Sequence, residues 1–450
     1  MRIFEDFKLH FEEANWKNDP ELALVDSILQ AHPELISLVD KDIRKGERQH
    51  PLGRQDTPSV EQIMRAAIYK ELKGLEYREL AYHQEDSRIC ARFVKIDEKR
   101  PFSFQVYQKY ISKITGETLH DIIFRINEIA VNEGLEDIKQ IRQDTTTVES
   151  NIHYPTNNSL VWDCIRRSND LLEKLSHEIS GFTYRDYTKG AKKTYFKINN
   201  APRNTDRKVA LFHKQLNTFT KSINQVSNVV KKKQYYGDSM KVMGLLFTLE
   251  ELLGQMHQVY NVTRRKEIDG EKVPNKEKIF SIFEPHTDII VKGGREVVFG
   301  HKVNLVSGKS NLILHCDVLD GNPSDSGLYQ SATKSVIQNY EITPRDSVGD
   351  GGFASKENIE FAESQGVTNI VFNKIRGSLQ NIVTSDNMET RLKKWRSGIE
   401  AVISNFKRGF DLTRCYWKGM EHFSRKVLWS VIGYNIRVLS RLLIGKMATE

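Results

Sequence analysis

Residues 138–148 read IKQIRQDTTTV. β-Branched Ile, Thr and Val dominate the stretch, which suits a buried or half-buried strand better than a helix. The predicted strand carries Asp144, an ionisable group in a segment that otherwise reads as interior. Such a group is costly to bury without a partner.

The pattern on either side is helical. Before residue 135, Val60, Ile63, Met64, Ala67, Ile68, Leu72 and Leu75 form one stripe, with Thr57 placed as N-cap and Pro58 at the first helical position. A compact helical unit is expected there. The basic stretch RKGERQHPLGR, 44–54, is either a solvated face or a phosphate-contacting arm. Beyond the strand, Val161, Ile165, Leu172, Leu175 and Ile179 repeat at helical spacing. So do Phe212, Leu216, Phe219, Ile223, Val226 and Val230, and then Val242, Leu246, Leu249, Leu253, Met256 and Tyr260. These stripes predict the core seams of a small helical bundle.

Strand signals resume at FGHKVNLVSGKSNLILHCDVL, 299–319, where two apolar runs flank a turn-forming SGKS and predict an antiparallel hairpin. A helix near 326–341, a short strand ending at Asp350, a helix from Ser355 to Gly366 and a strand VTNIVF follow, an α/β alternation. The last third is helical, with Met388, Leu392, Trp395, Ile399, Val402, Ile403 and Phe406 on one face of a helix that carries Glu400 on another.

A chain of 450 residues is long enough for two or three structural units. Its 67 Lys and Arg against 59 Asp and Glu give +8, a balance that favours a polyanionic partner without identifying one. Cys90, Cys164, Cys316 and Cys415 are far apart, with no Cys/His spacing for zinc and no disulfide framework, which fits a reducing cytosol. The opening MRIFEDFKLHFEEANWKND mixes charges without an apolar core, and no run approaches eighteen consecutive apolar residues. The expectation is a soluble cytoplasmic protein with no membrane partner.

Phosphoryl transfer assisted by two metal ions needs carboxylates converging from separate elements, because Mg2+ is a hard cation that prefers oxygen ligands. Three acids are candidates. Asp144 stands on the predicted strand, although a turn or edge acid would look the same. Asp350 in SVGDGGFAS directly follows a short strand, with glycines that let the backbone approach a partner closely; a tight turn would also place an Asp there. Glu400 shares a helical stripe with Lys393, Arg396 and Lys407, and an ordinary surface pair between Arg396 and Glu400 would explain it equally well. Asn322 and Asp325 in GNPSD are candidates for supporting the site or for a β-turn.

Order and spacing bring these acids together, because the chain resembles the bacterial and archaeal insertion-sequence transposases of the acidic-triad (DDE) class. QDTTTVESNIHYPTNNSLVWD resembles the family's first-acid strand and following YPT segment. IFEPHTDIIVKGGREVVFGHKVNLV with LDGNPSD resembles its second and third strands, and VGDGGFASKENIEFAESQGV its second-acid strand and next helix. Arg396, Glu400 and Lys407 keep the spacing of the family's Tyr, Arg, Glu, Lys signature, with Lys393 where the tyrosine stands and Trp395 nearby. YWKGMEHFSRKVLW resembles the family's C-terminal segment, and residues 55–130, including LEYRELAYHQEDSRICARF, its N-terminal transposase domain.

The resemblance implies an α/β fold with a ribonuclease-H-like mixed five-stranded sheet and flanking helices. Residues 1–134 would form an N-terminal helical DNA-binding domain, 135–164 with 281–445 the catalytic domain, and 165–280 a helical insertion between the first two strands. It implies that Asp144, Asp350 and Glu400 bind two Mg2+, with Mn2+ able to substitute, and cut and join DNA at the ends of an insertion sequence. Arg396, Lys407 and Lys393 would contact the DNA backbone. The implied partners are terminal inverted repeats and target DNA, with a homodimer pairing two ends and a nucleoid-associated location. The competing readings are a catalytically silent, transposase-derived DNA-binding repressor and another ribonuclease-H-like nuclease.

Overall fold

The structure is a computed structural model, in which residues 19–46, 57–96, 101–202, 205–237, 239–292, 296–375 and 377–449 are described. The opening segment and most of the basic 44–54 stretch lie outside the described residues. Among the described residues, eight helices precede the first strand: α1 (Pro20–Ala31), α2 (Glu34–Ser37), α3 (Asp40–Arg44), α4 (Val60–Lys73), α5 (Tyr77–Asp86), α6 (Arg88–Val94), α7 (Phe104–Ile111) and α8 (Gly116–Asn132). After β1 (Gln140–Ser150) come α9 (Asn157–Glu178), α10 (Thr188–Asn199), α11 (Asp206–Lys231) and α12 (Met240–Glu267). Then follow β2 (Asp288–Lys292), β3 (Glu296–Ser307), β4 (Ile313–Val318), α13 (Tyr329–Tyr340), β5 (Asp346–Gly349), α14 (Lys356–Ser364) and β6 (Asn369–Phe372). The chain ends with α15 (Asp386–Arg396), α16 (Gly398–Gly409), β7 (Arg414–Cys415) and α17 (Met420–Thr449).

Two compact units result, one of residues 1–149 with 301–450, the other of 150–300. In the first, the sheet and the early helices share one apolar core through α17, which packs on α1, α4, α8, β4 and α16. Buried polar groups tie the same elements together. Lys70, Glu71 and Lys426 form a buried ion cluster, and Asn435 bonds both Asn127 and the backbone of Ile313. α17 is long and apolar enough to cross a bilayer, with a mean hydropathy of 1.4 over its best window, yet 72% of that window is buried in the protein. The strict count of consecutive apolar residues missed it because Arg425, Lys426, Arg437 and Arg441 interrupt the run.

The mixed sheet has seven strands, in the order β2-β3-β1-β5-β6 with β4 on β3 and β7 on β1. That is two more than expected, since β2 and the two-residue β7 are additions. β3 and β4 form the predicted antiparallel hairpin around SGKS, and β1, β5 and β6 run parallel. The register of these three is held by Asp346, fully buried, which accepts hydrogen bonds from Gln140, Asn369 and Arg345. Burial raises its pKa, but those donors outweigh it and hold the carboxyl below its usual range.

α4 starts later than Thr57 and Pro58 suggested. Ser59 is its N-cap and forms a capping box with Gln62, which satisfies two donors that a Thr57 cap would have left open.

In the second unit, α9 to α12 pack around Val161, Ile165, Leu172, Phe219, Leu249 and Met256, as the three stripes predicted. Thr156 and Ser159 cap α9. β2 pairs with the first half of β3, Ile290 opposite Val298.

Candidate active site

Parallel pairing between β1 and β5 puts Gln143 opposite Gly349. The next residue on each strand is an acid, so the register alone sets Asp144 beside Asp350, at the carboxyl end of β5. Gly351 allows the chain to turn there: a Cβ on it would lie 2.5 Å from the carbonyl oxygen of Asn373. The predicted close approach is to the protein's own backbone.

Glu400 arrives from the other direction. α15 packs over β5 and β6 through Leu392, with Val348 and Val371 beneath it. The sequence pattern predicted one continuous helix through this region, but the structure breaks it at Ser397. The cause is Arg142, on β1 two residues before Asp144. Its Nη1 donates to the Trp395 carbonyl at 2.8 Å, its Nε to Ser307 at 3.0 Å and its Nη2 to Asn311, while the guanidinium carbon lies 4.7 Å from the centre of the Trp395 ring. Gly398 sits against the same guanidinium, where a Cβ would fall 2.2 Å from Nη1. Burial lowers the Arg142 pKa to about 10, against the weaker opposing pull of Tyr434 and Glu136, and Arg142 makes no salt bridge among the described residues. Trp395 is therefore engaged with Arg142.

The three acids converge on one cation. Arg396 Nη2 lies 2.9 Å from Asp144 and 3.7 Å from Asp350, and Nη1 lies 3.2 Å from Glu400. Its Nε is buried without a hydrogen-bond partner among the described residues. Asp144 has the most demanding environment: desolvation pushes its pKa up to about 6, against the opposing pull of Arg396 and of the Thr145 amide, with Asp350 and Asp325 adding repulsion. A carboxylate so placed favours a neighbouring cation. Asp350 and Glu400 are more open, with side chains 45% and 67% exposed.

The remaining candidates divide. Asp325 begins a short 3-10 turn, and its Oδ1 accepts from Lys302 at 3.1 Å and from Thr145 at 3.3 Å, so it is both a turn residue and a neighbour of the site. Asn322 is exposed. Lys407 donates to the Thr147 carbonyl at 2.7 Å, along the strand that bears Asp144. Lys393 pairs with Glu389 at 2.6 Å.

Sequence reasoning missed Arg142 and Lys302, whose signal is only a cation on a strand. The Arg396 guanidinium, expected from the sequence to contact DNA, pairs with all three acids in this structure.

Carboxylate oxygens from three elements are the donor set a hard divalent cation takes. As they stand they surround a guanidinium, and among the described residues no three His, Cys, Asp or Glu side chains form a group ready to hold a metal ion.

Residues 283–436 match the family model described as the transposase DDE domain, a stretch that includes Asp350, Arg396, Glu400 and Lys407 and begins after β1. No curated protein and no solved structure matches the chain. The match covers 154 of the 450 residues, so this part of the chain is similar to the transposase DDE domain, and that similarity supports a place among the DDE-class insertion-sequence transposases.

Proposed function

We propose that Asp144, Asp350 and Glu400 are the catalytic acids of a DNA transposase that cleaves the ends of an insertion sequence and joins them to target DNA, on a ribonuclease-H-like sheet. The observation that carries the reading is their convergence on the Arg396 guanidinium from β1, the end of β5 and α16. Divalent cations, two Mg2+ or Mn2+, would be held by these carboxylates and would supply Lewis acidity for the attacking and leaving oxygens. The desolvated Asp144 and the unpartnered Arg396 Nε support such a site, since both are unfavourable in the present ion cluster. Arg396 and Lys407, near the acids, suit contacts to a DNA phosphate once Arg396 is released from them. Residues 1–134 are assigned to recognition of the terminal repeats, and pairing of two ends calls for a homodimer.

The test is cleavage of DNA carrying the inverted repeats that flank the protein's own coding region, in Mg2+ and Mn2+. Asp144→Asn, Asp350→Asn and Glu400→Gln should each abolish nicking while leaving DNA binding intact. Parental activity in any of them removes that residue from the centre.

One observation favours a second reading, a DNA-binding protein that does not cut: Arg396 already neutralises the acids. Binding of terminal repeats without nicked product in either metal would support it.

A further inference from the structure

The insertion unit carries the positive charge of the whole chain. Residues 150–300 hold 25 Lys and Arg against 16 Asp and Glu, a balance of +9, so the rest of the chain comes to −1. The excess is concentrated further: residues 188–233 hold twelve Lys and Arg and a single acid, Asp206.

α10 organises part of this charge into one face. Its buried side is Ala191, Thr194 and Ile198. On the other side Lys189, Lys192, Lys193, Phe196 and Lys197 are all exposed. At 100° per residue these five span an arc of roughly 140°. Phe196 is 52% exposed among the lysines. None of the four lysines makes an ion pair with a described residue, although other cations of the same unit do. Lys174 pairs with Asp170, Lys241 with Glu178, and Arg265 with Glu271 and Glu277.

The arrangement works against the helix by itself. Lys189, Lys193 and Lys197 are successive i,i+4 neighbours of like charge, a spacing at which helices are destabilised. An external polyanion removes that repulsion. Nearby in the same unit, a cleft of about 450 Å³ is lined by Lys221, Lys232, Asn224 and Asn228 with no carboxylate. Ammonium and amide donors around an acid-free cleft match phosphate oxygens.

We propose that the exposed face of α10 is a DNA-binding surface that holds the phosphate backbone of duplex DNA without reading its sequence. Four lysines spaced along one helical face neutralise phosphates and release counterions, so binding through them depends steeply on salt. DNA as the partner rests on the transposase reading, whereas the surface itself rests on the charge pattern.

The experiment compares the full chain with Lys189→Gln, Lys192→Gln, Lys193→Gln and Lys197→Gln combined, using fluorescence anisotropy on a terminal-repeat duplex and on a scrambled duplex across a KCl series. The combined variant should bind both duplexes about tenfold or more weakly, and its log–log salt slope should be shallower by about 3 to 4. The same four positions changed to Arg should restore affinity and slope.

An unchanged slope and affinity on a folded variant overturns the proposal. So does a loss confined to the terminal-repeat duplex, since binding through the phosphate backbone weakens equally on both. If the combined variant melts early, Lys192→Gln and Lys197→Gln singly should each lower the slope by about 0.9, and no change in either has the same negative meaning. Failure of the parent to nick DNA in a divalent metal would instead strike the transposase reading, since it leaves the salt slopes untouched.

Discussion

The carboxylate cluster of the first unit and the lysine face of the second treat charge in opposite ways. Around Asp144 few charges are used, and each is fixed by burial: Arg142 by three hydrogen bonds, Arg396 by three carboxylates, Asp346 by three donors. On α10 many charges are used and none is fixed, since Lys189, Lys192, Lys193 and Lys197 remain in solvent. Fixed charge in a partly dry site has a defined geometry, the condition for acting on one bond. Solvated charge has range without direction, the condition for holding a polyanion. The two regions should therefore fail differently when altered.

The largest effect is expected at the acids. Asp144→Asn or Glu400→Gln should reduce nicking on the order of 10^3-fold with DNA affinity nearly unchanged. The lysine face should show the reverse, and a variant of α10 that loses nicking at saturating DNA would erase the distinction.

Next comes Arg142→Lys. A single ammonium cannot reproduce a guanidinium that holds Trp395, Ser307 and Asn311 together, so the break between α15 and α16 should loosen and Glu400 and Arg396 lose their aim. Nicking should fall roughly 10- to 100-fold, the loss appearing in the rate at saturating DNA rather than in binding. Unchanged kinetics would show that the break does not depend on this residue.

Asp346→Asn is a test of stability. Removing the charge from a buried, three-donor network should cost about 3 kcal/mol at pH 7, measured by urea denaturation. The folded pKa of Asp346 lies below its unfolded value, so its contribution is present in full above the unfolded pKa and is lost as pH falls through the folded one. The gap between parent and variant should therefore narrow on acidification, and a gap independent of pH would assign the effect to packing.

The smallest effect is expected at Lys393, whose pair with Glu389 is half exposed. Lys393→Ala should change stability by no more than about 0.5 kcal/mol and weaken DNA binding less than Lys407→Ala does. A larger loss would bring Lys393 into the site.

Much of the sheet could be read from local pattern. The β-branched run at 138–148, the SGKS turn and the helix expected from Ser355 all stand within a residue or two of where the pattern placed them, because each depends on neighbouring residues only. Ser59 and Gln62 were equally readable as a capping box, but the Thr57-Pro58 signal masked them. The break at Ser397 was not legible, since its cause is Arg142, more than 250 residues earlier. Asp144 and Asp350 were placed as neighbours by resemblance, and the register of β1 and β5 supplies the physical reason. Glu400 looked like a surface partner of Arg396, and it is one at 3.2 Å; only the fold reveals that the same guanidinium reaches two further carboxylates.

The claim that most of this rests on is that the three carboxylates form one cation site, with Arg396 holding their place. Mn2+ binding to the DNA-bound protein, followed by electron paramagnetic resonance titration, measures it directly. The account predicts two bound ions in the parent and loss of tight binding in Asp144→Asn, Asp350→Asn and Glu400→Gln alike. Parental Mn2+ binding in any one of the three would contradict it.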